Sequence, residues 1–137
     1  MRIIAGKHRG RTLKEFKGRD IRPTSDRAKE ALFNIIQFDV AGSHFLDLYS
    51  GTGGIGLEAI SRGAEKVVFA DNSKESVKLL KENLAYLKEK ADVYEGDAFS
   101  YVSVTKEKFD FVFLDPPYAI DARPVVKAVG DNGLLND

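Results

Sequence analysis

The sequence predicts an α/β fold built on a mostly parallel sheet, preceded by a small β-hairpin and a helix. Three observations carry that prediction. Short apolar runs alternate with helical periodicity from residue 45 onward, a glycine-rich turn separates the first run from the first helix, and acids recur just past successive runs. Strands alternating with helices at this spacing form crossover units and a parallel sheet covered on both faces.

Each element has its own signal. Arg2–Gly6 and Arg11–Phe16 read as two short strands around the turn Lys7–Gly10. Arg22-Pro23-Thr24-Ser25-Asp26 is a helix start with a hydroxyl cap and an acid in the first turn. Ala28, Ala31, Leu32, Ile35 and Ile36 follow at helical spacing and are expected to face the core. Phe45–Tyr49 is the first core strand, a helix over 54–62 follows, and Lys66–Ala70 is the second strand. A longer helix turns Val77, Leu80, Leu84 and Leu87 inward, Asp92–Glu95 is a weak third strand, and Phe109–Leu114 is a strong fourth. A last helix is expected around Pro124–Val129. Gly133–Asp137 offers no closing strand, which leaves the fourth strand as an apolar edge.

At 137 residues the chain reads as effectively one domain, a basic arm over 1–22 and a core over 23–137. Zero cysteines exclude disulfides, thiolate metal sites and a cysteine nucleophile. No apolar run has the length of a membrane span and no signal-peptide core opens the chain, so a cytoplasmic location is expected, with no membrane partner. Net charge is zero, yet residues 1–22 hold eight bases against two acids, leaving thirteen bases and nineteen acids elsewhere. A basic arm on an acidic body suits contact with phosphates, and Lys7, Arg9, Arg11, Arg22 and Arg27 are the candidate contacts. A solvated hairpin would show the same composition.

Asp47-Leu-Tyr-Ser-Gly51-Thr-Gly53-Gly54-Ile-Gly56 closes the first strand and opens a helix. Glycines there permit a tight turn and close approach of a ligand, in the strand-before, helix-after context that such a motif requires. A nicotinamide dinucleotide would also suit this context, with Asp71 on its ribose. Asp47 opposes it, because a carboxylate beside the turn repels a pyrophosphate. A ligand with an ammonium and a sulfonium is favoured instead, which describes S-adenosylmethionine. Asp71 with Asn72 would then meet the ribose, and Asp97 with Ala98 the adenine. Each acid taken alone could equally be a helix cap.

Asp115-Pro116-Pro117-Tyr118 ends the fourth strand, expected beside the first at the topological switch point. Two prolines remove two N–H donors and fix the backbone. Carbonyls and a carboxylate remain, an acceptor-only rim suited to the N–H groups of an exocyclic amine. Tyr118 offers a face on which a base can stack.

With these motifs in view, the sequence resembles the RsmD-type family of 16S rRNA guanine-N2 methyltransferases. The resemblance runs from Arg2–Arg11 and Arg22–Arg27 into Glu30–Asn34, then through Asp47–Gly53 and Gly56–Ala59 to Asp115–Tyr118. It implies a Rossmann-like, S-adenosylmethionine-dependent fold in which Asp47, Ser50, Gly51, Thr52, Gly53 and Gly56 hold the methionine end of the cofactor. Asp71 would take the ribose, Asp97 with Ala98 the adenine, and Asp115 to Tyr118 the target amine. It further implies rRNA as partner, within a partly assembled small subunit, and a monomeric enzyme. Family members continue with strands that close the sheet, so a shortened chain of reduced stability is expected. An adenine-N6 methyltransferase and a catalytically silent RNA-binding assembly factor stay open as alternatives.

His8 and His44 have no partner spacing for metal or nucleophilic work and are expected at the surface or in turns. Lysines from Lys74 to Lys90 fall on the polar face of their helix. Arg27 and Lys29 are either helix-surface charges or RNA contacts.

Overall fold

The computed structural model describes residues 1–15, 26–116 and 120–136. Its elements in chain order are α1 (Asp26–Ile36), β1 (His44–Leu48), α2 (Gly54–Ser61), β2 (Lys66–Asp71), α3 (Lys74–Leu87), β3 (Asp92–Glu95), α4 (Ala98–Val104), β4 (Phe111–Leu114) and α5 (Arg123–Asp131). The strands form one sheet in the order β3-β2-β1-β4, and every pair is parallel. The predicted α/β class and strand–helix alternation hold.

Alternation of side chains along β1 and β2 divides the core. Phe45, Val67 and Phe69 face one way, against Phe33 of α1, Leu57 of α2 and Leu80, Leu84 and Leu87 of α3. Leu46, Leu48, Val68 and Ala70 face the other, against Val102 of α4 and Val125 and Val129 of α5. The result is a helix–sheet–helix sandwich with β1 at its centre.

The amino-terminal hairpin forms, with an antiparallel bridge between Arg2 and Thr12 and hydrogen bonds from the Ile3 N–H to the Arg11 carbonyl (2.9 Å) and from the Leu13 N–H to the Met1 carbonyl (2.8 Å). What fixes it to the core has no signature in the motifs. Glu58, fully buried in α2, accepts from the amides of Ile4 (2.9 Å) and Ala5 (3.1 Å). The same carboxylate pairs with the Lys29 ammonium at 3.3 Å and the Arg62 guanidinium at 2.8 Å. Lys29 also donates to the Arg2 carbonyl at 2.8 Å. Gly6 lies so close to Ser61 that a Cβ would come within 1.9 Å of its carbonyl oxygen, so any side chain would push the hairpin off α2.

Four expectations need correction. Lys29 is neither a surface charge nor an RNA contact; it is 0% exposed and paired with Glu58. Its inward turn rotates α1, so that Ala28, Ala31 and Ile35 are exposed while Lys29, Leu32, Phe33 and Ile36 face the core. Phe33, stacked on Phe45 at 6.2 Å, fixes that rotation. Phe109 lies outside β4 and makes an isolated parallel bridge to Leu135, so the fourth strand starts at Phe111, two residues later than expected. Finally, α4 went unpredicted because Ser and Val dominate its seven residues; its one signal is Asp97, whose side chain caps it.

Glu58→Ala would leave the Lys29 ammonium buried beside no counter-charge, a loss of about 3–5 kcal/mol. Urea unfolding should show a strongly lowered midpoint, and a wild-type midpoint would contradict this account of the hairpin anchor.

Candidate functional site

β1, β2, β3 and β4 end at Leu48, Asp71, Glu95 and Leu114, with Leu48 in register with Ala70 on one side and Leu114 on the other. Whatever follows each strand therefore emerges along one edge of the sheet. After β1 comes the loop 49–53, in which Tyr49 (φ 56°), Gly51 (φ 55°) and Gly53 (φ 94°) are all left-handed. For Tyr49 this conformation costs about 1–2 kcal/mol, tolerated because each peptide around it is tied down. The Gly51 N–H donates to Asp71 Oδ2 at 2.8 Å, the Gly53 N–H to the Ser50 carbonyl at 2.9 Å, and Asn83 Nδ2 donates to the Thr52 carbonyl at 3.1 Å.

Asp47 lies on the same strand face as Phe45 and so points at the start of α2. It accepts from the Gly56 N–H at 3.0 Å. Gly53, the residue preceding α2, has no side chain to cap it. Asp47 takes that role from a neighbouring strand, satisfying one of the helix's free amides and meeting its positive end. The carboxylate is only 1% exposed. Burial pushes its pKa up to about 7, the Gly56 amide opposing this and the charges of Asp71 and Asp115 adding to it. Asp97 acts in the same way on Tyr49, whose hydroxyl is raised first by burial and then by that charge. Acids carried by four separate strand ends thus act on one loop.

The structure sets Asp71 and Asp115 near enough to Asp47 for their charges to raise its pKa, and Asp97 near enough to Tyr49 to raise that of its hydroxyl. It redistributes some of their work. Both oxygens of Asp71 accept backbone amides, from Gly51 and from Ser73 (2.8 Å each), so Asp71 shapes the loop before it meets any ligand. Asp97 caps α4 by accepting from the Ser100 N–H at 3.0 Å and is otherwise exposed. Asn72 is exposed and Thr52 buried. The Ser50 hydroxyl is buried and has no hydrogen-bond partner among the described residues. Asp115 is exposed and Pro116 half-buried; Pro117, Tyr118 and Arg22 lie outside the described residues.

Two expected cofactor contacts are corrected. Gly56 is buried, its amide is taken by Asp47, and Phe69 fills the space where a side chain would stand (Cε1 at 2.2 Å from an ideal Cβ). The methyl group of Ala98 packs inside the core with Tyr101 and Val102, so its side chain is not turned to a ligand. Both residues are demanded by packing.

On the arm, Lys7 pairs with Glu89 at 2.6 Å, and the Arg11 guanidinium lies 5.4 Å from the Tyr86 ring centroid. Arg9 and Arg27 are exposed. His8 lies in the hairpin turn, as expected, and its Nε2 meets Glu89 Oε2 at 2.6 Å. His44 is half-buried beside Glu65 at the start of β1. Asn83 lies outside the motifs, and Glu58 falls within Gly56–Ala59 without a role of its own. Their signal is a polar residue on an apolar stripe, Asn83 among Leu80, Leu84 and Leu87, and Glu58 between Leu57 and Ala59.

The chain matches the family described as Conserved hypothetical protein 95 over residues 1–137. Ribosomal RNA small subunit methyltransferase D of Haemophilus influenzae is 42% identical over 141 residues, covering 98% of this chain and 73% of that protein. A solved hypothetical protein of Thermus thermophilus superposes with a TM-score of 0.88 at 32% identity, covering 99% of this chain and 80% of that one. The tRNA (uracil-54, C5)-methyltransferase of Pyrococcus abyssi, solved with S-adenosyl-L-homocysteine, shares the fold at a TM-score of 0.65 and 23% identity, over 84% of this chain and 28% of that one.

Because the folded pKa of Asp47 lies above its unfolded value of 3.8, its contribution to stability is greatest at low pH and falls as pH rises from about 4 through about 7. Asp47→Asn keeps an acceptor for Gly56 and removes the titration. Urea midpoints at pH 4, 6 and 8 should show the variant gaining on wild type with rising pH. A gap that stays constant, or favours wild type more at high pH, would contradict the burial of an ionisable Asp47.

Proposed function

The chain belongs to the ribosomal RNA small subunit methyltransferase D family, and on that footing we propose that it transfers a methyl group from S-adenosylmethionine to the exocyclic N2 amine of a guanine in 16S rRNA. The observation that carries the donor half of this reading is the electrostatics of the loop. The charges of Asp71 and Asp115 add to the cost of ionising the buried Asp47, and a ligand bearing positive charge relieves it, whereas a pyrophosphate would add to it. The buried Ser50 hydroxyl supplies a polar group still to be satisfied at the same loop. The residues present therefore fit the methionine end of S-adenosylmethionine.

When bound, that cofactor supplies an electrophilic methyl group on a sulfonium sulfur. The protein's part is to bind and align. Asp47, Ser50, Gly51, Thr52 and Gly53 would hold the amino-acid end, Asp71 with Asn72 the ribose, and Asp97 the adenine amine. Asp115, exposed at the end of β4, accepts an N–H of the incoming base and takes the proton that the nitrogen sheds as its new bond to carbon forms. Pro116 and Pro117 keep competing N–H donors off that rim. The sequence assigns Tyr118 the stacking face. Alignment of a nucleophile on an already activated methyl group carries much of the rate.

The guanine reading draws on the family and on the arm. Lys7, Arg9, Arg11, Arg22 and Arg27 give the arm and α1 the cationic character that RNA phosphates require. The substrate we propose is rRNA within a partly assembled small subunit, acted on by a monomer in the cytoplasm.

Calorimetry should show binding of S-adenosylhomocysteine and none of NAD; the reverse would overturn the cofactor assignment. Tritiated methyl transfer to 30S particles should fall roughly 10²-fold or more in Asp115→Ala. Equal transfer by wild type and variant would remove Asp115 from the chemistry, and no transfer by wild type would favour a binding factor over an enzyme.

A further inference from the structure

Asn83 is 0% exposed, yet it sits on the apolar face of α3 among leucines. All of its hydrogen-bonding groups are engaged, and they join two segments distant in sequence. Its Oδ1 accepts from the Lys14 N–H at 2.8 Å, and its Nδ2 donates to the Lys14 carbonyl at 3.0 Å and to the Thr52 carbonyl at 3.1 Å. Lys14 belongs to the basic arm and Thr52 to the glycine loop. One buried amide thus bridges the two surfaces that the proposed reaction must bring together.

The packing around this clasp leaves little slack. An ideal Cβ at Gly53 would fall 2.3 Å from Leu80 Cδ1, and one at Gly54 would fall 2.6 Å from the Met1 sulfur. So α3 closes on the loop from one side and the arm closes on the start of α2 from the other. Beyond Lys14 the arm runs along α3, with Lys14 paired to Glu82 at 3.5 Å, Arg11 over Tyr86, and Lys7 and His8 on Glu89. The arm is therefore a strap laid along α3 whose inner end is tied to the loop.

We propose that Asn83 is a positioning residue that holds the arm and the glycine loop in register, so that occupancy of the loop by the methyl donor and binding of RNA to the arm strengthen each other. This rests on the reading of the loop as the donor site and the arm as the RNA contact. A ligand that orders the loop fixes the Thr52 carbonyl, and with it the amide that holds Lys14. The arm then has less freedom left to lose when it meets RNA. The effect is reciprocal: RNA on the arm must tighten the loop by the same factor.

The test is the affinity for radiolabelled S-adenosylhomocysteine by equilibrium dialysis, with and without saturating 30S particles. Wild type should bind about fivefold or more tightly when the particles are present. In Asn83→Ala the ratio should fall to near one, with far-ultraviolet circular dichroism confirming a folded chain. A purely structural role would weaken both measurements and leave their ratio intact. Lys14→Pro deletes the arm's N–H donor to Asn83 together with the Lys14 ammonium, so Lys14→Ala, which removes the ammonium alone, is its control: the ratio should be lost in the first and kept in the second, and this pair decides the matter if Asn83→Ala does not fold. Retention of the wild-type ratio in Asn83→Ala or Lys14→Pro, its loss in Lys14→Ala, or a ratio of one in wild type that binds both ligands, overturns the proposal. Failure of wild type to bind 30S particles at all would instead overturn the RNA reading on which it rests.

Discussion

Asp47 lies one residue from the carboxyl end of the inner strand β1, on its α2-facing side, and its carboxylate is held near Asp71, the last residue of β2, and Asp115, the first after β4. A protein does not gain stability from such an arrangement. Burial raises the cost of the charge, Asp71 and Asp115 raise it further, and the Gly56 amide at the start of α2 offsets part of it. What the arrangement provides is a loop whose electrostatic preference is fixed before any ligand arrives. Cations relieve it and anions aggravate it, and the strand order β3-β2-β1-β4 sets the ends of β2, β1 and β4 side by side.

A second buried carboxylate does the opposite work. Glu58 is surrounded by two amides, an ammonium and a guanidinium, so its charge is fully used in fixing the hairpin to α2. The two acids lie on either side of the same short helix, one at its start through Gly56 and one in its last turns. Together with Asn83 they make the hairpin, the glycine loop and α3 a continuous unit. The basic arm is thereby presented at a fixed place relative to the loop, which is what a nucleic-acid substrate reaching a bound donor would require.

The sheet was legible because its strands are apolar runs bounded by glycines and acids, and because α3 carries an undisturbed stripe at Val77, Leu80, Leu84 and Leu87. The candidate site was legible because strand-end acids and a glycine turn are local patterns, each readable within ten residues. Long-range polar contacts were not. Lys29 looks like any helix-surface lysine until Glu58, 29 residues on, is brought against it. The rotation of α1 followed from that pair, and so Ala28, Ala31 and Ile35 were assigned to the wrong face. Gly56 and Ala98 sat in the right motifs, but their smallness serves Phe69 and the α4 core rather than a ligand.

The central claim is that a cationic ligand at the loop draws Asp47 into its ionised form. Calorimetric titration of S-adenosylmethionine near pH 6, repeated in buffers of different ionisation enthalpy, reads the protons exchanged on binding. The account predicts a net release of protons that disappears when Asp47 is replaced by Asn. Binding with no proton exchanged, or the same release from the Asn variant, would contradict it.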